Sequence, residues 1–222
     1  MLRAVIFDLD GVVVDSHPTH KQAWRECLHL LGCKASELEL EYVAEGHTRA
    51  DILRHFLGDL TAEQVQQHGA FKDRLFRTMA VDLKPVRGLH GFLRQIENSG
   101  VPVGLASSGG RARVEDTLQQ LKLQRFFQVV VTGEDVSRSK PDPAIFHLAA
   151  HGLHVTPEEI LVCEDAVCGV EAAKAARMKC LAIATDGRNL RLEKAGADMV
   201  ARDFTQVQLE ELRILFEQPA MK

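Results

Sequence analysis

Two carboxylates spaced by one residue follow an apolar run near the start of the chain. Asp8 comes directly after Ala4–Phe7, Asp10 comes two residues later, and Gly11 follows at once. Residues i and i+2 of an extended strand share a face, so both carboxylates are expected to point the same way where the strand ends and Gly11 permits a turn. Such a pair can hold a hard cation, or one member can attack an electrophile while the other moves protons.

The same stretch has two other interpretations. Aspartate and glycine are frequent in turns for conformational reasons, so Asp8 and Asp10 can serve as turn residues without any chemistry. An EF-hand calcium loop carries its glycine at the sixth position, whereas Gly11 is the fourth residue counted from Asp8, which disfavours calcium binding of that kind. These interpretations can be distinguished only by the polar residues elsewhere in the chain.

Two later apolar segments also end in polar side chains. The first ends at Ser107 and Ser108, the second ends at Glu164 and Asp165, and Lys140 lies between the two segments in the sequence. Ligands of parallel α/β sheets bind beyond the carboxyl ends of the strands, so we expect these residues to converge with the first acidic pair. Four converging carboxylates would repel one another, and oxygen-only ligands favour Mg²⁺ as the ion that relieves this repulsion.

Apolar runs that end in turn residues alternate with helical patterns over most of the chain. This alternation predicts an α/β fold with a doubly wound, parallel (Rossmann-like) sheet. Residues 15–84 contain only helical patterns, so we expect a small helical domain inserted after the first strand. The α/β core is then predicted to consist of residues 1–14 and 85–222.

Short signals predict where several helices begin. Thr61 opens a capping-box pattern, which predicts a helix that runs to about Met79. Thr156 opens a second pattern of the same form. Asp142 followed by Pro143 predicts the N-cap and the first turn of another helix.

The length and composition are typical of a globular protein, since 45% of the 222 residues are hydrophobic and 26% are charged. A net charge of -4 provides no broad basic surface, so nucleic acid is not expected as a partner. No apolar run approaches the ~20 residues of a membrane span, so no membrane is expected either. Five cysteines without paired zinc spacing, and no signal-peptide pattern, predict a cytoplasmic protein.

The acidic pair, the serines, the lysine and the second acidic pair, in this order and spacing, resemble the four motifs of the haloacid dehalogenase superfamily of phosphohydrolases. The match spans residues 8–165, and the helical insertion falls where that family has a small mobile cap. Within the superfamily the chain is similar to the β-phosphoglucomutase-like group of sugar-phosphate enzymes. The cap residues that carry this similarity are Asp15-Ser16, His20, Ala23-Trp24, Gly46-His47-Thr48-Arg49 and Lys72.

The resemblance implies a Mg²⁺-dependent phosphomonoester hydrolase that acts on sugar phosphates or similar small phosphorylated metabolites through an aspartyl-phosphate. Asp8 would attack phosphorus, Asp10 would act as general acid and base, and Lys140 would neutralise charge. Ser107, Ser108 and Lys140 would bind the phosphate. The residues implied as Mg²⁺ ligands, or as residues that orient it, are the Asp8 side chain, the Asp10 carbonyl, and the Glu164 and Asp165 side chains.

Three cap residues are candidate substrate contacts, and each has an alternative role. His20 lies on the Trp24 face of its predicted helix, so it is either a core histidine or a group that contacts substrate or shuttles protons. Arg49 can grip a hydroxyl or a second phosphate, or it can simply be exposed at a helix start. Lys72 is the weakest of the three candidates.

Other charged residues are predicted to have no catalytic role. His147 and His151 have the i, i+4 spacing of zinc ligands, but with His154 they are predicted to form a solvated helix face because no further ligand cluster accompanies them. A group of basic residues is predicted to be surface charge, with the first of them a possible exception because it follows the phosphate loop. This group consists of Arg111, Arg113, Lys122 and Arg125.

Alternative functions remain at this point. The mutases of the group usually carry a serine and a lysine where this chain has Gly109 and Gly110, so a phosphatase is favoured over a β-phosphoglucomutase. A dehalogenase needs no Mg²⁺, and the carboxylates of Asp10, Glu164 and Asp165 therefore disfavour it. A non-catalytic binding or regulatory domain is disfavoured because all four motifs are intact.

Overall fold

The polypeptide forms two units. The structure, a computed structural model, describes residues 1–44, 47–185, 187 and 189–217. The core unit is Met1–Asp15 with Lys84–Lys222, and the helical unit is Ser16–Leu83. These boundaries differ by one residue from those expected from the sequence, and the function of the helical unit as a cap stays a prediction.

Six parallel strands form the sheet of the core unit within the described residues, in the order β3-β2-β1-β4-β5-β6. The chain therefore builds one half of the sheet outward from β1 and then returns to build the other half from β4. This confirms the predicted doubly wound α/β fold, and it puts the topological switch point between β1 and β4. The strands are β1 Ala4–Phe7, β2 Val103–Ser107, β3 Val129–Thr132, β4 Ile160–Glu164, β5 Lys179–Ile183 and β6 Met199–Ala201.

The central strands are buried along their whole length. Every residue of β1, β2 and β4 is buried, as expected for parallel strands that are covered by helices on both faces. Phe7 at the end of β1 lies in an aromatic cluster, with its ring 6.1 Å from that of Phe92 and 6.2 Å from that of Phe127. Phe204 stacks on Phe92 with a centroid separation of 5.1 Å. The last residue before Asp8 is thus anchored in the core.

The helices of the core unit cover the two faces of this sheet. They are α4 Leu89–Ser99, α5 Arg111–Leu121, α6 Ala144–Leu153, α7 Val167–Ala175, α8 Asn189–Lys194 and α9 Leu209–Ile214. The elements β6, α8 and α9 follow residue 184, where the sequence patterns predict no element. Within the described part of the chain, no helix combines the length and the apolar composition that crossing a membrane requires.

The helical unit consists of α1 His17–Leu30, a 3-10 helix at Glu39–Ala44, α2 Arg49–Leu57 and α3 Ala62–Met79. The predicted capping box at the start of α3 is present, because Thr61 accepts from the backbone of Gln64 and the Gln64 side chain accepts in return. The core of this unit is a separate apolar cluster. Its buried members are Trp24, Leu28, Leu40, Ile52 and Leu53. Gly46, part of the cap pattern, lies outside the described residues.

Two predicted helix starts are corrected by the structure. The segment after Thr156 is a 3-10 turn at Pro157–Glu159, because β4 begins at the next residue and leaves no room for an α-helix. The helix after Asp142 begins at Ala144, with Pro143 as its N-cap residue. Asp142 nevertheless accepts a hydrogen bond of 3.0 Å from the Ala144 amide, so its side chain still stabilises that helix start.

Three histidines on or next to α6 are exposed. His147 and His151 lie on the helix, and His154 follows its last residue with a left-handed backbone. The rings of His151 and His154 are 6.4 Å apart. Their exposure fits the interpretation of a solvated helix face.

The aromatic cluster under β1 gives a stability prediction. Phe92 is 1% exposed and contacts two other rings, so Phe92→Ala is expected to reduce the free energy of unfolding by about 3–5 kcal/mol, through lost burial and the cavity left behind. Leu190 in the same unit is 72% exposed, and Leu190→Ala should cost less than about 0.5 kcal/mol. Urea denaturation followed by circular dichroism measures both. Equal losses would contradict this account of the core.

Candidate active site

Three neighbouring strands deliver polar residues to one edge of the sheet. Asp8 follows β1, Ser107 ends β2 and Glu164 ends β4, and β1 lies between the other two. Because the strands are parallel, their carboxyl ends meet at the same edge, next to the switch point of the sheet. The structure therefore brings together side chains that are far apart in the sequence, at positions 8, 107 and 164.

A buried lysine links these strand ends. Lys140 Nζ donates to Asp8 Oδ1 at 2.6 Å, to Glu164 Oε1 at 2.5 Å and to the carbonyl oxygen of Ala106 at 3.1 Å. The residue is only 5% exposed. An ammonium group has three N–H donors, and all three find acceptors here, so the cost of burying the charge is offset. Lys140 is thus fixed against the side chain predicted to attack phosphorus.

The second oxygen of Glu164 is held by the turn that follows β4. Glu164 Oε2 accepts from the amide of Asp165 at 2.9 Å and from the amide of Ala166 at 3.1 Å. A Cβ on Gly169 would lie 1.9 Å from Glu164 Cδ, so only glycine lets α7 pass this close to the carboxylate. In this arrangement Glu164 orients Lys140 and the turn. Its predicted role as a direct Mg²⁺ ligand stays a prediction.

The electrostatics of the site oppose the ionisation of Asp8. Burial raises the pKa of Asp8 from 3.8 to about 8; Lys140 opposes this shift, while Glu164, Asp10 and Asp165 add to it. Burial opposes the charge of Lys140, but the carboxylates of Asp8 and Glu164 outweigh it and raise the pKa of that ammonium group. The lysine is therefore charged at neutral pH, whereas Asp8 needs further positive charge to be fully ionised.

The donor types and their charge fit a magnesium ion. The candidate ligands offer oxygen atoms only. Burial, and after it the charges of the neighbouring carboxylates, raise the pKa of Asp8, and a bound divalent cation would oppose this shift. The carboxylates do not form a ready cage, since the described residues contain no group of three or more His, Cys, Asp or Glu side chains placed to hold a metal. Lys140 instead takes one oxygen of Asp8 and one of Glu164.

The second carboxylate of the first pair has an arginine partner. Arg113 donates from Nη1 to Asp10 Oδ1 at 2.9 Å and from Nη2 to Asp10 Oδ2 at 2.7 Å. Arg113 is 8% exposed, so its prediction as surface charge was wrong. A signal was present in the sequence: Arg113 lies one residue before Val114 and four before Thr117, on the face of α5 that is buried.

The loop between β2 and α5 contains the predicted phosphate site. Ser107 is buried, and its Oγ accepts from the amide of Gly109 at 3.1 Å, whereas Ser108 is exposed. Gly110 is the N-cap residue of α5 and has no side chain to cap the helix, but Glu134 Oε1 accepts from the amide of Arg111 in the first turn at 3.2 Å. Arg111, the possible exception among the surface charges, pairs with Asp135 and Glu115 at 2.6 and 3.6 Å. Phosphate binding by the two serines stays a prediction.

The three candidate residues of the helical unit lie close to one another. Lys72 Nζ is 2.7 Å from His20 Nδ1 and 3.7 Å from Asp73 Oδ1, and Arg49 Nη2 donates to Asp73 Oδ2 at 2.6 Å. Lys72 is buried and lies over the rings of Trp24 and Phe76, while the His20 ring stacks on Phe76. Arg49 and Lys72 thus both pair with the carboxylate of Asp73, and His20 contacts Lys72. The contact of these three residues with substrate stays a prediction.

This arrangement, a doubly wound sheet with carboxylates and a buried lysine at its switch point, is typical of α/β enzymes and places the candidate active site at the ends of the central strands. The model of one protein family, the haloacid dehalogenase-like hydrolases, matches residues 5–183. The chain therefore belongs to the haloacid dehalogenase-like hydrolase family, which confirms the resemblance noted in the sequence.

Individual relatives agree with this assignment. The phosphorylated carbohydrates phosphatase of Thermotoga maritima is 32% identical over 179 residues, which cover 79% of this chain and 82% of that protein. The β-phosphoglucomutase of Bacillus subtilis is 30% identical over 226 residues, covering 98% and 96%. A family IA hydrolase from Entamoeba histolytica has the same fold, with a TM-score of 0.89, 24% identity and coverage of 98% and 100%.

The close approach of α7 to Glu164 gives a prediction for the site. Gly169→Ala is expected to push the Glu164 carboxylate out of place and to release Lys140, lowering phosphatase activity by about 10-fold or more, at a stability cost of about 1–3 kcal/mol. Gly91 of α4 is the matched control, because a Cβ there meets nothing within 4 Å. Gly91→Ala should keep full activity and a stability equal to or above that of the wild type. Phosphate-release kinetics and urea titrations test both variants.

Proposed function

We propose that this protein is a Mg²⁺-dependent phosphomonoester hydrolase that acts on sugar phosphates or similar small phosphorylated metabolites through an aspartyl-phosphate. The observation that carries the proposal is the buried contact of Lys140 with Asp8 and Glu164 at the switch point of the sheet. Family membership supports the same chemistry, and the named activities of the relatives supply the substrate class.

In the proposed reaction Asp8 attacks phosphorus in line with the departing oxygen. Its carboxylate forms a bond to phosphorus as the bond to the substrate oxygen breaks. Lys140 holds one Asp8 oxygen at 2.6 Å, which fixes the direction of attack and reduces the repulsion between two anions. The buried position of Asp8 also limits competition from water at this step.

Asp10 carries the two proton transfers of the proposal. It gives a proton to the departing alkoxide in the first half of the reaction, and it takes a proton from the attacking water in the second. The water then displaces Asp8 and releases inorganic phosphate. Bound Mg²⁺, held by the side chains of Asp8 and Asp165 and the carbonyl of Asp10 with Glu164 beside them, would supply positive charge that favours the ionised form of Asp8.

Hydrolysis is favoured over a mutase reaction by the loop after β2. The mutases that this chain resembles usually have a serine and a lysine at the positions of Gly109 and Gly110, and these two residues help to bind a second phosphate. Gly109 in this structure leaves a space that the side chain of Arg113 fills. The β-phosphoglucomutase relative keeps the mutase as a second candidate, so an assay has to follow both products. The five cysteines, all of them among the described residues, form no disulfide bond, which supports the proposed cytoplasmic location.

The first prediction concerns the nucleophile. Asp8→Asn is expected to abolish turnover, by more than about 10³-fold, because an amide does not form the proposed acyl phosphate. The exposed Asp116 of α5 is the control, and Asp116→Asn should behave as the wild type. A phosphate-release screen over sugar phosphates with Mg²⁺ should show activity that EDTA removes. Conversion of β-glucose 1-phosphate into glucose 6-phosphate without phosphate release would instead favour the mutase.

The second prediction concerns pH and metal together. The pKa of Asp8 is raised from 3.8 to about 8, so the folded protein holds a proton there that the unfolded chain has lost, and stability falls as pH rises between these values. A divalent cation bound beside Asp8 reverses this loss. The increase in Tm caused by Mg²⁺ should therefore be larger at pH 8 than at pH 5.5, as measured by thermal melts against EDTA. Asp8→Asn should weaken this pH dependence. A Tm increase that is equal at both pH values would contradict the assignment of the metal site.

A further inference from the structure

The contact between Arg113 and Asp10 has a specific geometry. Two nitrogens of one guanidinium meet two oxygens of one carboxylate, at 2.9 and 2.7 Å. A paired fork of this kind fixes the carboxylate in rotation as well as in position, which a single hydrogen bond does not do. The arginine comes from the first turn of α5 and is itself buried, so it is held by packed helix rather than by a loop.

Gly109 provides the room that this contact needs. A Cβ at Gly109 would lie 2.0 Å from Nη2 of Arg113, 2.7 Å from its Cζ and 3.0 Å from its Nε. The guanidinium therefore lies directly against the Gly109 backbone while it contacts Asp10. Any side chain at position 109 would displace the guanidinium of Arg113, because the end of the flexible arginine side chain moves more easily than the backbone. The contact of Arg113 with Asp10 thus depends on the absence of a side chain at Gly109.

We propose that Arg113 is a positioning residue for Asp10, and that Gly109 is a glycine because any larger residue would push the guanidinium away from Asp10. This inference rests on the proposed function, in which Asp10 handles both proton transfers. The guanidinium neither gives nor takes a proton, because it stays charged throughout the reaction. When Asp10 carries the proton for the departing oxygen, one of its oxygens keeps a contact with the guanidinium and the other bears the proton. When Asp10 is ionised, both contacts form and orient the carboxylate toward the attacking water.

The chemistry of the leaving group separates alignment from a general structural effect. Phenyl phosphate and p-nitrophenyl phosphate have nearly the same size, but phenolate is the poorer leaving group and depends more on a proton from Asp10. In single-turnover reactions, Arg113→Met is expected to slow cleavage of phenyl phosphate by about 10- to 100-fold. Cleavage of p-nitrophenyl phosphate should slow by less than about 3-fold. The KM for each ester, measured separately at steady state, should change little.

Gly109→Ser tests the second half of the inference. Alone, it should shift the ratio of the two cleavage rates in the same direction as Arg113→Met. Added to Arg113→Met, it should cause almost no further loss, since the group that it displaces is already gone. Arg113→Lys keeps the charge without the planar fork, so its ratio should fall between those of the wild type and Arg113→Met. Arg94 of α4 is exposed, and Arg94→Met should leave both rates unchanged.

The outcomes are distinguishable from a failure of the proposed function. A wild-type protein that hydrolyses neither the aryl phosphates nor any sugar phosphate with Mg²⁺ would overturn the function and this inference together. A wild-type phosphatase in which Arg113→Met slows both esters equally would overturn the inference alone, as would additive losses in the double variant. If circular dichroism shows that Arg113→Met does not fold, Arg113→Lys and Gly109→Ser decide the matter through the same ratio of rates.

Discussion

The rest of the site depends on one buried ammonium group, whose three hydrogen bonds go to acceptors at the ends of three strands. Lys140 is almost fully enclosed, and an enclosed charge is tolerated only when its donors are met by acceptors. Those acceptors come from the ends of β1, β2 and β4, so the register of the central strands and the position of the lysine determine one another. The same contacts that stabilise the charge also set the orientation of Asp8.

The two carboxylates of the first pair have different surroundings. Asp8 is buried against Lys140 and neighbouring carboxylates, and its pKa is raised to about 8. Asp10 is matched by a single guanidinium that comes from the helix after the next strand. The different roles proposed for these two aspartates accord with their different cationic partners. Asp8 contacts an ammonium group that is shared with Glu164, whereas Asp10 is held by the two nitrogens of one guanidinium.

The sequence predicted what depends on strand ends, because apolar runs and their terminal polar residues are local features. The α/β sheet and the convergence of Asp8, Ser107 and Glu164 follow from such features and from the geometry of parallel strands. The role of Arg113 did not follow, because its contact depends on space left by Gly109 and on a partner 103 residues away. The turn after Thr156 was missed because the start of β4, rather than the capping pattern, limits its length.

The position of β1 in the sheet has a consequence for how the protein is made. The strand that precedes Asp8 is synthesised before both of the strands with which it pairs, which begin at residues 103 and 160. The helical unit, Ser16–Leu83, is complete much earlier in synthesis. Pairing across such long separations is slow, and the apolar strand lacks its first neighbour until β2 has been translated and its second until β4 has been translated. Chaperone contact during synthesis is therefore expected at the segment that precedes Asp8, the proposed nucleophile.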